Sequence, residues 1–598
     1  MIIKFKMMKN YKIILLILGA VSLVTACKKY GTFPVAQITI DRVFDPRDSL
    51  GTNAYAFLQN VYATMLNGHN RVGGDYLDAA TDDAVSSAAS SSNQVTQLST
   101  DAYNSGTFTD GAGDNVWANY YSGIRQANIF IANIGVVPVE ATLPNHPEIS
   151  MKYAWKNEAR FLRAYFYFEL VKRYGGVPLL GDKVYNVTDN LALPRNTFSD
   201  CINYIVSECN AIKGDSILQA PYASTSNYGR VTNAAVLALK AKALLYAASP
   251  LFNGTTLVKD AGTGQGPRNT TNAALVGYPS ADPNRWQLAA NAAQDVINLG
   301  VFSLDGNGFQ DIFLTQNNPE LIFIRQGDNG NNVENNNAPI GFPSAVAKGV
   351  TSPTQDLINA FPMISGLNIN DPNGHYNPDS PYARRDPRLL FTVFVNGQRW
   401  LNTNLQLYQG GQSIPNSGVQ QTVSGYYLHK FMGHSEALNG FAAHSEDWVI
   451  FRYAEILLNY AEAENEAVGP NAADYQVLKT IRGRAGIAAG TDGNYGIQAL
   501  GSITQDSLRS AIHNERRLEF AFEEQRFFDL RRWKVAAAYM NQARMGLQLI
   551  SNNQLTYNYV PILPAVFKVN SFTPKQYLQP IPYGEVVKNP QMQQNPGW

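Results

Sequence analysis

The stretch HNERRLEFAFEEQRFFDLRRWK, residues 513–534, sets the tightest condition on how this chain can fold. It holds five arginines, five carboxylates and five bulky aromatics in about six helical turns. Wound as a helix, it turns Leu518, Phe522 and Trp533 one way, Phe520 and Phe527 nearly the opposite way, and Phe528 a third. A helix that is apolar nearly all round is packed on several sides. Its charges go inside with it, and a buried charge without a partner is prohibitively costly. Partners stand three residues apart: Arg516 with Glu519, Glu523 with Arg526, Asp529 with Arg532. Nucleic-acid contact would need unpaired cations, and acid–base chemistry a carboxylate isolated in a cleft with a raised pKa. The segment offers neither. It reads as scaffold.

The rest of the composition agrees with a large enclosed core. Of 598 residues, 45% are hydrophobic and only 16% charged. Lys+Arg and Asp+Glu balance at 47 each, so no net basic field exists to draw a polyanion or a nucleic acid. The 32 Tyr, 28 Phe and 7 Trp stand beside many Asn and Gly. Aromatic faces and amides suit neutral hydroxylated ligands such as sugars, and they equally fill cores and turns.

At the N-terminus, Lys4, Lys6, Lys9 and Lys12 precede the apolar run IILLILGAVSLVTA (13–26), which stops at Cys27. A positive region, a short apolar stretch and small residues at its end make a secretory signal. The run is shorter than the about 20 apolar residues of a comfortable membrane span. VTAC is similar to a bacterial lipobox with Val24 in place of the usual Leu, so Cys27 is expected to carry lipid and to anchor the protein to a membrane without spanning it. Cys201 and Cys209 lie eight residues apart on one helix, capped by Ser199 or Asp200. That spacing is about 12 Å, beyond disulfide reach. They read as buried thiols.

Helical periodicity is clear in 53–68, 115–134, 153–176, 232–250, 284–300, 447–469 and 474–487. In 153–176, Trp155, Ala159, Leu162, Phe166 and Leu170 share a face, and Gly175–Gly176 ends the helix. Thr232 caps the alanine-rich helix after it. From about 301 to 447 the pattern dissolves into Asn-, Gly- and Pro-rich chain such as RQGDNGNNVENNNAPIGFP (325–343), which reads as loop-built functional surface. Paired helices with small contact residues suggest a mostly α helix-hairpin array without a regular repeat.

The segment ERRLEFAFEEQRFFDLRRWK resembles, nearly letter for letter, the C-terminal motif of the SusD/RagB family of Bacteroidetes outer-membrane lipoproteins. FLRAYFYFELVKRYGGVPLL (161–180), SPTQDLINAFPM (352–363), RRDPRLLFTVF (384–394), FRYAEILLNYAEAENEAVG (451–469), IRGRAGI (481–487) and YLQPIPYGEVVKNPQMQQNPGW (577–598) look like further family blocks in family order. Lys28 and Lys29 depart from the family by following the cysteine where an acidic export signal is often found. The resemblance implies a SusD-like fold, mostly α, with four tetratricopeptide-like helix pairs and an irregular loop-rich ligand face. It implies a non-enzymatic protein that captures oligosaccharide and hands it to a SusC-like TonB-dependent transporter, with no cofactor. Capture of oligopeptides, or a lipid-anchored glycoside hydrolase, are the alternatives. Residues 1–26 are then the signal peptide, 27–48 the lipidated tether and 49–598 one domain, helical over about 49–300, loop-rich over about 301–447 and helical again over about 448–598.

Ligand residues vary in this family, so the resemblance carries over only regions: the loop after the first helix and the loop before SPTQ. There, Tyr76, Tyr103 and Phe342 are candidate stacking platforms, Asp82 and Asp83 candidate acceptors of sugar hydroxyls, and Arg325 a candidate donor. The same residues read as a core tyrosine and as capping carboxylates. GTGQGP (262–267) lacks the strand and Lys-Ser/Thr ending of a phosphate loop. DGNGFQD (305–311) begins like a calcium loop but has no closing acid in register, so a structural calcium ion is not supported. DYLDAATDDAV (75–85) gathers four aspartates, which suit a ligand loop without further partners.

Overall fold

A computed structural model describes residues 39–598, apart from 89–91, 110, 112, 187, 213, 223–224, 307, 342–346, 416–417, 436, 438, 552–554 and 562–571. The signal sequence, Cys27 and Phe342 lie outside the described residues. The longer helices are α1 Thr52–Ala63, α2 Trp117–Asn133, α3 Met151–Tyr174, α4 Phe198–Ala211, α5 Asn233–Ala248, α6 Asn284–Ile297, α7 Tyr453–Val468, α8 Ala472–Arg484 and α9 Gln505–Glu519. Each from α1 to α7 packs on the next in sequence, and α7 also meets α9. The chain between α6 and α7 leaves this array for about 150 residues, yet α6 still packs on α7 when it returns. In that excursion the described helices are short, such as Asn332–Asn337 and Gln355–Ala360.

The helix ends follow the sequence chemistry. Thr232 accepts from Ala235 N–H at the start of α5. At α4 the cap is Thr197, not Ser199 or Asp200; Asp200 instead completes a capping box by accepting from the Thr197 N–H. Cys201 and Cys209 are both buried and unbridged. α3 is enclosed on nearly every side, so its charges are matched: Arg163 with Glu208 at 2.8 Å, Arg173 with Asp114 at 2.8 Å and with Glu169 at 2.6 Å.

Two further readings change. Residues 448–452 are a strand rather than the first turns of α7. The run WVIFR is β-branched and aromatic, and it pairs antiparallel with Leu321–Arg325. The segment 513–534 is two helices, α9 and α10 (Gln525–Arg532), joined by a turn in which Phe522 and Glu524 take positive φ of 64° and 59°. The turn lets Phe522 enter a different part of the core from Phe520, and its N–H donates to Asp78 at 3.0 Å. Of the three local ion pairs only Asp529–Arg532 forms, at 2.7 Å. Arg516 reaches Asp529 across the turn at 3.0 Å. Glu519 meets Arg452 at 2.7 Å, Arg388 at 2.9 Å and Arg484. Glu523 meets Arg452 and Lys430, and Arg526 meets Asp82 at 2.7 Å.

One continuous apolar cluster runs from Val43 to Trp598. The indole of Trp598 donates to the carbonyls of Lys575 and Leu578 at 3.1 and 3.0 Å. The 262–267 loop is part of this closure: a Cβ on Gly264 would lie 2.2 Å from the Trp598 oxygen, so only glycine fits there.

Candidate functional site

Four of the expected ligand residues, Tyr76, Asp82, Asp83 and Tyr103, go into the core. Tyr76 is fully buried; its ring stacks on Phe431 at 5.6 Å, and its hydroxyl sits 2.8 Å from His69 Nδ1. Tyr103 is buried between Phe108 and Trp598 and donates to Gln579 at 3.0 Å. Neither ring can present a face to a sugar. Asp82 and Asp83 are enclosed by Arg517 and Arg526, with Arg517–Asp83 at 2.6 Å and Arg517–Asp82 at 2.9 Å. Burial alone would raise the Asp82 carboxyl, but the two guanidiniums outweigh it and hold it well below the usual range. Asp83 is raised, by burial first. The other two aspartates of 75–85 have no cation beside them. Burial pushes Asp75 up to about 7 and Asp78 up to about 8, the latter helped by the Asp83 and Glu524 carboxylates. The four aspartates are therefore a structural hub and are withdrawn as ligand acceptors.

Arg325 is half-buried, and its guanidinium donates to the carbonyls of Met65 and Gln326 at 2.8 and 3.0 Å. It pins one loop to another. The two loop regions do come together, through amides that stand in for regular structure. Asn70, at a φ of 52°, donates to the Asn332 carbonyl at 3.2 Å and accepts from Asn337 at 2.7 Å. Asn336 donates to Asn332 at 2.8 Å, and Asn332 to Glu446 at 3.0 Å. Gln326 donates to Tyr228 O at 2.7 Å, and His69 Nε2 lies 3.3 Å from Asp447 O. Farther along, Gln412 donates to Gly341 O at 3.1 Å and Gln420 to Ser87 Oγ at 2.9 Å. Short amides serve such loops because they satisfy backbone groups that no ladder reaches.

Gln326, Asp328, Asn329, Asn332, Gln412 and Gln420 remain exposed along this region. An amide both donates and accepts, so a row of them matches hydroxyl groups, which do the same. The run NGNNVENNN was the available signal, since its composition pointed to a loop but not to which amides face out. Asp305, in the stretch that begins like a calcium loop, is buried and bonded by Asn318.

The SusD family model matches residues 319–598, and a second model, described as starch-binding associating with outer membrane, matches 47–245. SusD-like protein P38 of Formosa agariphila is 23% identical over 498 residues, covering 80% of this chain and 78% of that protein. SusD-like protein P25 of the same organism is 26% identical over 274 residues, and the match spans only 46% of its length. Among solved structures, a SusD-like protein of Bacteroides fragilis superposes with a TM-score of 0.71 at 26% identity, over 92% of this chain and 98% of that one. A SusD-like carbohydrate binding protein of the same species has a TM-score of 0.67 at 21% identity, covering 91% and 99%, and shares the fold. The two family models between them take in residues 47–245 and 319–598, and the fold agrees; the chain belongs to the SusD/RagB family.

Proposed function

We propose that this protein is a surface glycan-binding lipoprotein that captures oligosaccharide on its amide-lined loop face and delivers it to a SusC-like TonB-dependent transporter. The observation that carries the reading is exposed Gln326, Asn329, Asn332, Gln412 and Gln420 on loops that amides, four of these among them, tie down, on a SusD fold. Hydroxylated ligands are bound by such donor–acceptor groups without a change of charge. The buried carboxylates of 75–85 are paired or enclosed, so they support scaffold rather than glycosidic chemistry. Cys27, with lipid attached, would supply the membrane anchor, and the transporter interface would exceed about 1,000 Å². Calorimetry of the mature protein against glycans and oligopeptides side by side tests this. Heat of binding with glycans alone is expected; binding of peptides alone would make it a peptide-capturing protein, and shortening of the added polysaccharide would make it a hydrolase.

A further inference from the structure

A groove of about 900 Å³ lies between the first half of α2, residues 178–186 and 188–193, and the helix α11 (Tyr583–Lys588). That is toward the top of the range of about 300–1,000 Å³ for ligand pockets. Its aromatic side chains are fixed. The Tyr121 hydroxyl donates to Pro178 O at 2.9 Å, and its ring rests 5.0 Å from that of Trp117, which meets Tyr174 edge-on. The Tyr185 ring lies 4.2 Å below Lys183 Nζ, and its carbonyl accepts from Arg125. Both stretches are tied down: Asn128 donates to the carbonyls of Gly181 and Lys183 at 3.0 Å, and Gln591 and Asn589 donate to those of Ala192 and Leu193. Tyr121 and Tyr185 keep part of their surface open, and Leu191 stands 58% exposed at the rim.

Polar groups ring these apolar faces. Arg125, Lys183 and Lys588 oppose Asp189 and Glu585, and Lys183 lies 3.7 Å from Asp189. No salt bridge holds Arg125, Lys588 or Glu585 among the described residues. A purely apolar occupant would desolvate these charges without replacing their water. A polyanion would meet the two carboxylates. An uncharged sugar chain has an apolar C–H face for Tyr121 and Tyr185 and hydroxyls that both donate and accept at the rim.

We infer that this groove is a second binding site, for an uncharged oligosaccharide segment, with sugar rings against Tyr121 and Tyr185 and hydroxyls bonded by Arg125, Glu585 and Lys588. The inference rests on the glycan-binding reading and adds a site distinct from the amide-lined loops. It is tested by calorimetry of the mature protein with malto-, xylo-, manno- and galacto-oligosaccharides, each with Tyr185→Ala, with Arg125→Ala plus Glu585→Gln, and with Asn332→Ala plus Gln326→Ala. Two binding events are expected, one weakened roughly tenfold by either groove variant and the other only by the loop variant. The pair of rim substitutions removes no ring, so it reads the site even if loss of Tyr185 disturbs folding. A single event that ignores both groove variants would overturn the inference and leave the glycan reading standing. No binding of any probe would overturn both. Groove variants that keep both events but lose co-purification with a transporter would make the groove a protein interface instead.

Discussion

Asp78 shows how much a single buried group can couple this fold to pH. Its Oδ1 accepts the Phe522 N–H at 3.0 Å, while Oδ2 has no hydrogen-bond partner among the described residues. With burial holding its folded pKa near 8, against about 3.9 unfolded, the carboxyl stays protonated in the fold at neutral pH. Its contribution to stability is complete below about pH 4 and is lost as pH rises toward 8. Asp78→Asn keeps the acceptor and removes the titration. The variant is expected to gain a few kcal/mol over the wild type at pH 8, at about 1.4 kcal/mol per pKa unit, and little at pH 4.5. Denaturant melts at the two pH values check this; an equal effect at both would refute the assignment. Glu519 acts in the opposite sense. Burial would raise it, but Arg484, Arg452 and Arg388 together hold it far below the usual range. Glu519→Ala leaves three buried cations with one carboxylate fewer and is expected to cost about 3–5 kcal/mol, read as a lower denaturation midpoint.

Among the elements, the helices were legible wherever apolar spacing ran for three turns or more, as in 153–176, which folds as α3 over Met151–Tyr174. What failed were the places where distant chain decides. Residues 448–452 look like the start of a helix until their partner strand at 321–325 is present. The charges of 513–534 find partners mostly outside the segment, since Arg517 pairs with Asp83 at a separation of 434 residues and Arg526 with Asp82 at 444. The same long-range pairs explain why Asp82 and Asp83 were misplaced as ligand groups: a local acidic cluster carries no sign of the arginines that bury it. The stretch 301–447 was legible as mostly loop, because composition is a property of the segment, whereas its meeting with the loop after α1 was not. The exposed amides of these loops support a further expectation. Asn332→Ala with Gln326→Ala is expected to weaken glycan binding by about 1–3 kcal/mol, the scale of a few lost hydrogen bonds, with a melting temperature within about 2 °C of wild type. Unchanged affinity would move the site elsewhere.

At the scale of the whole molecule, the array of helices supports a face of loops and the apolar cluster from Val43 to Trp598 binds them together. Attachment to the membrane is proposed as a separate property, carried by lipid on Cys27 at about 0.8 kcal/mol per buried CH₂. Cys27→Ala is expected to leave melting unchanged and to move the protein out of the membrane fraction of cells lacking the transporter; persistence in that fraction would contradict the anchor.

The central claim, that a SusD scaffold binds glycan on loops joined by amides, is tested most directly by hydrogen exchange of the mature protein with and without its bound oligosaccharide. The account predicts slowed exchange in 326–337 and 412–420, with the buried segment 75–85 unchanged. Protection absent from those loops, or appearing only in 75–85, would contradict it.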